Sequence, residues 1–302
     1  MDSSEIIQNA IDAISRGSFF ALVALGVALL FGIMGLVNFA YGEVIMAGGF
    51  AMFVFTDYFL PAAVWPLLII WTIAVAVVFS VAQERLAFRP VRNAEPTTML
   101  VTSFAVSILL VNIAVLVWDA LAKPVPIGGI TLDQWVVGDV RIRVIDIVTL
   151  AVTAFLLIAL TAFLKRTSLG IQMRASSENF KMSQLLGVRA DRVIASTFVI
   201  AGVLAGVVAL IAVSLSGGVN PRMGLFPLIL GLVAIVIGGM GSLVGAVVGG
   251  FVLGGLTTGL EVGLATYDLE RFRDAFVFGA VILILALRPQ GIIATRASKE
   301  RV

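Results

Sequence analysis

Residues Gly17 to Gly42 read GSFFALVALGVALLFGIMGLVNFAYG, 26 positions without one charged side chain. A helix rising 1.5 Å per residue crosses the roughly 30 Å hydrocarbon core of a bilayer in about 20 residues. The stretch therefore predicts a membrane-spanning helix. Five more uncharged runs point the same way: Tyr58–Gln83, Pro96–Trp118, Ile147–Leu164, Val193–Val219 and Met223–Leu260. The last has 38 residues, too many for one crossing, and is interrupted by Gly238-Gly239-Met240-Gly241. It predicts two segments, 226–238 and 242–261. Two runs of 13 residues, Val44–Thr56 and Ala275–Leu287, either borrow flanking residues or stop short of a full crossing. The expected fold is an all-α integral membrane protein, one transmembrane domain over 1–302, with eight or nine membrane segments and glycine-rich helix breaks.

Composition agrees. Of 302 residues, 60% are hydrophobic and 13% charged, with a mean hydropathy of +1.12. Such a chain has too few polar groups to cover a water-facing surface, so the surplus faces lipid. With no Cys and no His, the chain lacks thiolate nucleophiles, the commonest metal ligand and the commonest general base. No GxxxxGK[ST] phosphate loop occurs. No catalytic residue, cofactor or metal is expected, and a net charge of +2 does not suggest a nucleic-acid partner.

The basic residues orient the chain. Thirteen of the twenty lie in the 83–95 loop, the 165–192 loop and the tail after Leu287, which predicts these on the cytoplasmic side. The N-terminus then falls outside. Met1 to Ala13 is acidic and has no cleavable-signal pattern.

NFAYGEVIMAGGF (38–50) lines up with GMGSLVGAVVGGF (239–251) at an offset of 201, each a break followed by a helix with Gly-Gly-Phe. Internal repeats of this kind build the two halves of many transporters; small-residue helix packing explains the same glycines. An interrupted helix frees backbone N–H and C=O groups to bind a polar substrate inside the membrane. Asn38, Tyr41, Gly42 and Glu43 are the candidates at the first break, and Gly239, Gly241 and Ser242 at the second. Glu43 either lines a pathway, caps the following helix through its dipole, or is solvated at the membrane surface.

The longest hydrophilic stretch is KRTSLGIQMRASSENFKMSQLLGVRADR, Lys165 to Arg192. Ser176 or Ser177 is a plausible N-cap, Glu178 would sit in the first turn, and Gly187 suits the position just past the helix end. A helix of about ten residues is marginal alone in water. It needs a surface, either a cytoplasmic partner or its own bundle and lipid.

Several stretches carry a family likeness: ALGVALLFGIMGLVNFAYGEVIMAGGF, LGIQMRASSENFKMSQLLGVRADRVIASTFVIAGVLAGVVAL, GLVAIVIGGMGSLVGAVVGGFVLG and LRPQGI. They resemble, in order and over residues 17 to 292, the shorter Liv-type permease of bacterial branched-chain amino acid ABC importers. NFAxGE and RAxxEN…LLGV are the most specific parts. The resemblance implies a multi-pass protein of the bacterial inner membrane. Its expected partners are a related second permease subunit, two cytoplasmic ATPase subunits and an external solute-binding protein docking on 122–143. It makes 165–192 the loop that seats on the ATPase, through Arg174, Ser177, Glu178, Asn179, Leu185, Leu186, Gly187 and Val188. Where the family has a His or small polar residue in NFAxGE, this chain has Tyr41. Relatives handling urea, short amides or other small amino acids leave those substrates open. A stand-alone ion-coupled carrier or channel would need ionisable residues deep in the spans, where Glu43 is the only candidate.

Overall fold

In the computed structural model the described residues are 3–59, 65–92, 94–126, 134–137, 140–265, 269–288 and 290–293. Eleven α-helices occur among them. They are α1 (Ser3–Met34), α2 (Tyr41–Val54), α3 (Trp65–Gln83), α4 (Pro96–Trp118), α5 (Val144–Arg166), α6 (Ser168–Glu178), α7 (Phe180–Leu185), α8 (Ala190–Ser216), α9 (Leu225–Gly238), α10 (Leu243–Ala265) and α11 (Arg273–Leu287). Turns of π-helix extend α2 through Phe55–Phe59 and α3 through Glu84–Phe88. Four short strands make two antiparallel pairs, β1 (Lys123–Pro124) with β4 (Gly218–Val219) and β2 (Gln134–Val137) with β3 (Val140–Arg143).

Six helices among the described residues are long and apolar enough to cross a bilayer: Ser4–Met34, Trp65–Phe88, Pro96–Trp118, Val144–Arg166, Ala190–Ser216 and Leu243–Ala265. Of the other apolar helices, α9 with 14 residues and α11 with 15 reach only about 21–23 Å, and α2, which its π-helical turn carries on to Phe59, holds Glu43 and Asp57. Length and composition therefore mark six full crossings among the described residues and do not by themselves confirm the eight or nine segments expected. The first uncharged run also ends its helix early, because Gly35 turns left-handed at φ +68° and closes α1 at Met34.

The chain forms two compact units, and α1, α5 and α9 contribute residues to both. The first unit comprises the residues up to Ala28, those from Gly129 to Ile158 and those from Leu230 onward. Within it α10 lies against α1 at glycine contacts; a Cβ on Gly17 would stand 2.8 Å from the Phe251 ring. Several of its buried polar groups are paired: Ser15 Oγ donates to Asp146 (2.6 Å), which also receives Arg143 (2.9 Å), and Thr153 donates to the Ser18 carbonyl (3.1 Å). Glu261 accepts from both Arg16 and Arg273.

The second unit, Leu29–Gly128 with Ala159–Ile229, centres on α2, α3 and α8. Gly202 and Gly206 of α8 abut the backbone of Val77 and Ile73 in α3, where a Cβ would come within 2.7 and 2.9 Å. Small residues let helix backbones close to contact, which drives packing where lipid removes the hydrophobic gradient. Ser80 seals the pair by donating to the Phe198 carbonyl at 2.7 Å. A buried cluster of Met46, Phe50, Met52, Leu68 and Val213 caps this trio, with Phe50 stacked on Trp118 at 4.3 Å.

Candidate functional site

Between α1 and α2 the chain leaves helical geometry for six residues, Gly35 to Ala40. Asn38 organises the turn: its Oδ1 accepts from Ala40 N–H (3.0 Å) and its carbonyl from Tyr41 N–H (3.2 Å). Two neighbouring helices brace it. Gln83, the last residue of α3, donates through Nε2 to the Ala40 carbonyl (3.1 Å). From α4, Ser103 Oγ accepts from Phe39 N–H (3.4 Å), and the Phe39 ring stacks on Phe104 at 3.8 Å. Gly42 starts α2 against Gly224, where a Cβ would lie 2.8 Å from that residue's carbonyl oxygen.

Glu43 is buried at 2% exposure, so it is not a solvated surface carboxylate. Its Oε1 accepts from Ser107 Oγ at 2.6 Å. Ser107 lies midway along Pro96–Trp118, about 16 Å from either helix end. Glu43 is thus held at the middle depth of a helix long enough to span, where transporters with broken helices place their binding sites. Four polar atoms around this break have no partner: Asn38 Nδ2, Tyr41 Oη, Glu43 Oε2 and Gln83 Oε1. All four residues are buried, at 2%, 1%, 2% and 6% exposure.

The second break is built differently. Gly239 (φ +110°) and Gly241 (φ +94°) carry the left-handed turns, conformations that L side chains resist. Ser242 Oγ accepts from Gly245 N–H at 2.9 Å and so caps α10. The carbonyls of Ile237 and Gly238, which helix termination would leave free, accept from Ile292 and Ile293 N–H at 2.8 and 2.9 Å. None of the unpartnered buried atoms among the described residues lies at this break.

In the hydrophilic stretch, two helices replace the single expected one, and the caps move. Thr167 caps α6 by accepting from Gly170 N–H, and Asn179 caps α7 by accepting from Met182 N–H, both at 3.0 Å. Ser176 is instead buried against Ser183 (3.2 Å), Ser177 donates to the Arg174 carbonyl (2.7 Å), and Glu178 closes α6 instead of opening α7. Asn179 is the residue that leaves helical geometry (φ −151°, ψ 101°), the extended backbone an N-cap needs, whereas Ser176 and Ser177 stay inside α6. Gly187 stands where expected, at φ +88°, and Val188 N–H closes back on the Ser183 carbonyl (3.1 Å). Arg174 Nε donates to the Leu164 carbonyl at 2.9 Å, tying α6 to the end of α5. Met173, Ser176 and Ser183 face inward, while Met182, Leu185 and Leu186 are exposed, the last two at 82% and 81%. Nearby, Arg92 bridges Glu84 and Asp191, joining the end of α3 to the start of α8.

Sequence reading missed Gln83, Ser103 and Ser107. Gln83 looked like the polar end of a span. The two serines are spaced four apart in a run of apolar residues, the spacing that puts them on one helix face.

The family described as branched-chain amino acid transport system, permease component, matches residues 9–286. The high-affinity branched-chain amino acid transport system permease protein BraD of Pseudomonas aeruginosa is 33% identical over 98% of this chain and 98% of its own length. The corresponding permease protein LivH of Escherichia coli K12 is 33% identical over 98% and 97%. A probable branched-chain amino acid transport permease protein LivH of Methanocaldococcus jannaschii is 26% identical over 93% and 89%. No solved structure matches.

Proposed function

We propose, because this chain belongs to the branched-chain amino acid transport permease family, that it is the membrane-spanning permease subunit of an ATP-binding-cassette importer carrying leucine, isoleucine and valine. The observation that carries this reading is the end-to-end likeness to permeases of that system, 98% of this chain against 98% of BraD. The chain is a transport subunit and not an enzyme; ATP hydrolysis belongs to two partner ATPase subunits. An external binding protein delivers substrate to the 122–143 side, and a related permease subunit completes the translocation unit in the bacterial inner membrane. The full length acts as one permease domain. Its six spanning helices with short α2, α9 and α11 make up the eight or nine membrane segments, N-terminus outside and C-terminus in the cytoplasm.

Two features support this. Exposed Met182, Leu185 and Leu186 on a capped two-helix element suit a partner surface, so Arg174, Ser177, Glu178, Asn179, Leu185, Leu186, Gly187 and Val188 form the ATPase-coupling element. The breaks at Asn38, Tyr41, Gly42 and Glu43 and at Gly239, Gly241 and Ser242 frame the pathway, each within its own unit, the first with polar groups to offer a substrate and the second as a joint that shapes the path without contacting the substrate. ATP binding by the partners presses on α6–α7, and the rearrangement occurs at helix breaks while the spans stay rigid.

Reconstitution tests the reading. Proteoliposomes holding both permeases, the ATPases and the cognate binding protein should accumulate labelled leucine, isoleucine and valine only with internal ATP. Accumulation of urea or acetamide in their place would overturn the substrate, and uptake by this chain without ATPases would overturn the importer.

A further inference from the structure

Arg92 holds two carboxylates at once. From its place just past the π-helical turn that extends α3, its Nη2 donates to Glu84 Oε1 at 2.5 Å and its Nη1 to Asp191 Oδ1. The two ends of this bridge are unequal. Glu84 is buried at 2% exposure, and a buried carboxylate stripped of its cation is strongly destabilising, so this end stays closed. Asp191, the second residue of α8, has 63% of its side chain exposed. It also accepts from Arg89 at 3.2 Å, and pairs this open to water are weak. One guanidinium is therefore fixed to the end of α3 and loosely held to the start of α8.

What lies on either side gives the bridge its use. Glu84 directly follows Gln83, which donates to the Ala40 carbonyl of the α1–α2 break at 3.1 Å. Asp191 lies four residues past Gly187, which ends α7. Further along α8, Phe198 is held to the same segment twice, by Ser80 on its carbonyl and by the Phe88 ring at 5.6 Å. That contact is seven residues beyond Asp191, about 10 Å away. The first two turns of α8 thus meet the end of α3 through Asp191. All of these residues belong to one compact unit.

We propose that Arg92 is a positioning residue for transport: through Asp191 and Glu84 it ties the chain that follows α7 to the residue that holds the α1–α2 break, and so keeps ATP hydrolysis on the partner subunits coupled to substrate movement. The inference rests on the importer reading above and adds to it a residue that acts through its neighbours. The bridge calls for arginine in particular. Its two terminal nitrogens serve two carboxylates in one fixed fork, whereas a lysine ammonium is a point charge that the buried Glu84 would keep for itself.

The full importer in proteoliposomes provides the test, with two readouts: leucine accumulated per ATP hydrolysed, and the thermal unfolding midpoint of the complex. Asp191→Asn removes only the exposed end, so the midpoint should stay at the wild-type value. Leucine per ATP should nevertheless fall by about two- to fivefold, the range an exposed ion pair supports. Arg92→Lys keeps a cation on Glu84 and guards against misfolding; it should lower the ratio by no more than Asp191→Asn does. The double variant should fall no further than Asp191→Asn alone, because both changes open the same bridge. A wild-type ratio in either single variant, losses that add in the double variant, or a ratio that falls only together with the midpoint overturns the role of Arg92. Any of these results leaves the transport function standing if the wild-type complex accumulates leucine with ATP. Absence of that uptake in the wild type would refute the importer reading instead.

Discussion

The two helix breaks look alike in sequence and differ in what their polar groups do. Each follows an apolar helix, turns on a left-handed glycine and opens into a helix carrying Gly-Gly-Phe. At the second, backbone amides of Ile292 and Ile293 take up the carbonyls of α9 and Ser242 takes up an amide of α10. At the first, the backbone is held by side chains from α3 and α4, and Gln83, one of the two, keeps its amide oxygen unused, as Asn38 keeps its amide nitrogen. One break is a joint that satisfies itself. The other is braced from outside and left with groups to spare. A glycine pattern identifies a place where a helix can stop, and only the accounting of donors and acceptors separates a joint from a site.

That contrast can be broken by mutation, most severely at the glycine pair of the first break. Gly42→Leu would drive a side chain into the Gly224 carbonyl, already 2.8 Å from where a Cβ would stand. Substrate uptake in proteoliposomes should be abolished, and normal uptake would remove this break from the pathway. At the second break, Ile292→Pro deletes the N–H that serves Ile237. A buried carbonyl left unserved costs about 1–3 kcal/mol, so the unfolding midpoint should fall while the ratio of leucine to valine uptake stays constant. A changed ratio would show that this break, too, handles substrate. The α6–α7 segment supplies the smallest effect. Asn179→Ala should cost about 1 kcal/mol of local stability, read as faster amide exchange in α7. Ser177→Ala, whose hydroxyl only bonds back to Arg174, should stay within about 0.5 kcal/mol. Equal exchange in the two variants would return the cap to Ser177.

The spanning helices were legible because charge is excluded from a bilayer core, and an uncharged run therefore reports its own length. The glycine hinge at 238–241 was legible for a related reason: 38 apolar residues exceed one crossing. Helix ends were harder. The end of α1 at Met34 depends on one left-handed glycine among several in that run, and nothing local distinguishes Gly35 from Gly32. By residue type Ser176 and Ser177 are both good caps, yet Asn179 caps α7, because the two serines stay inside α6 and Ser176 is drawn into a buried contact with Ser183. Glu43, Asn38 and Tyr41 stood out as polar residues in an apolar setting. Gln83, Ser103 and Ser107 did not, because their importance comes from which neighbouring helix they touch, and helix pairing is not written in periodicity.

The glycine seam between α3 and α8 has a mechanical consequence. With Val77 and Ile73 backbone pressed against Gly202 and Gly206, a slide of one helix along the other by a single residue would bring a side chain where only hydrogen fits. The two helices therefore share a gear-like register with no slack. Helix α8 begins at Ala190, directly after the α6–α7 segment, and α3 ends at Gln83, which holds the Ala40 carbonyl. A displacement at the start of α8 would therefore have to be shared by α3, whose last residue holds the Ala40 carbonyl at the α1–α2 break.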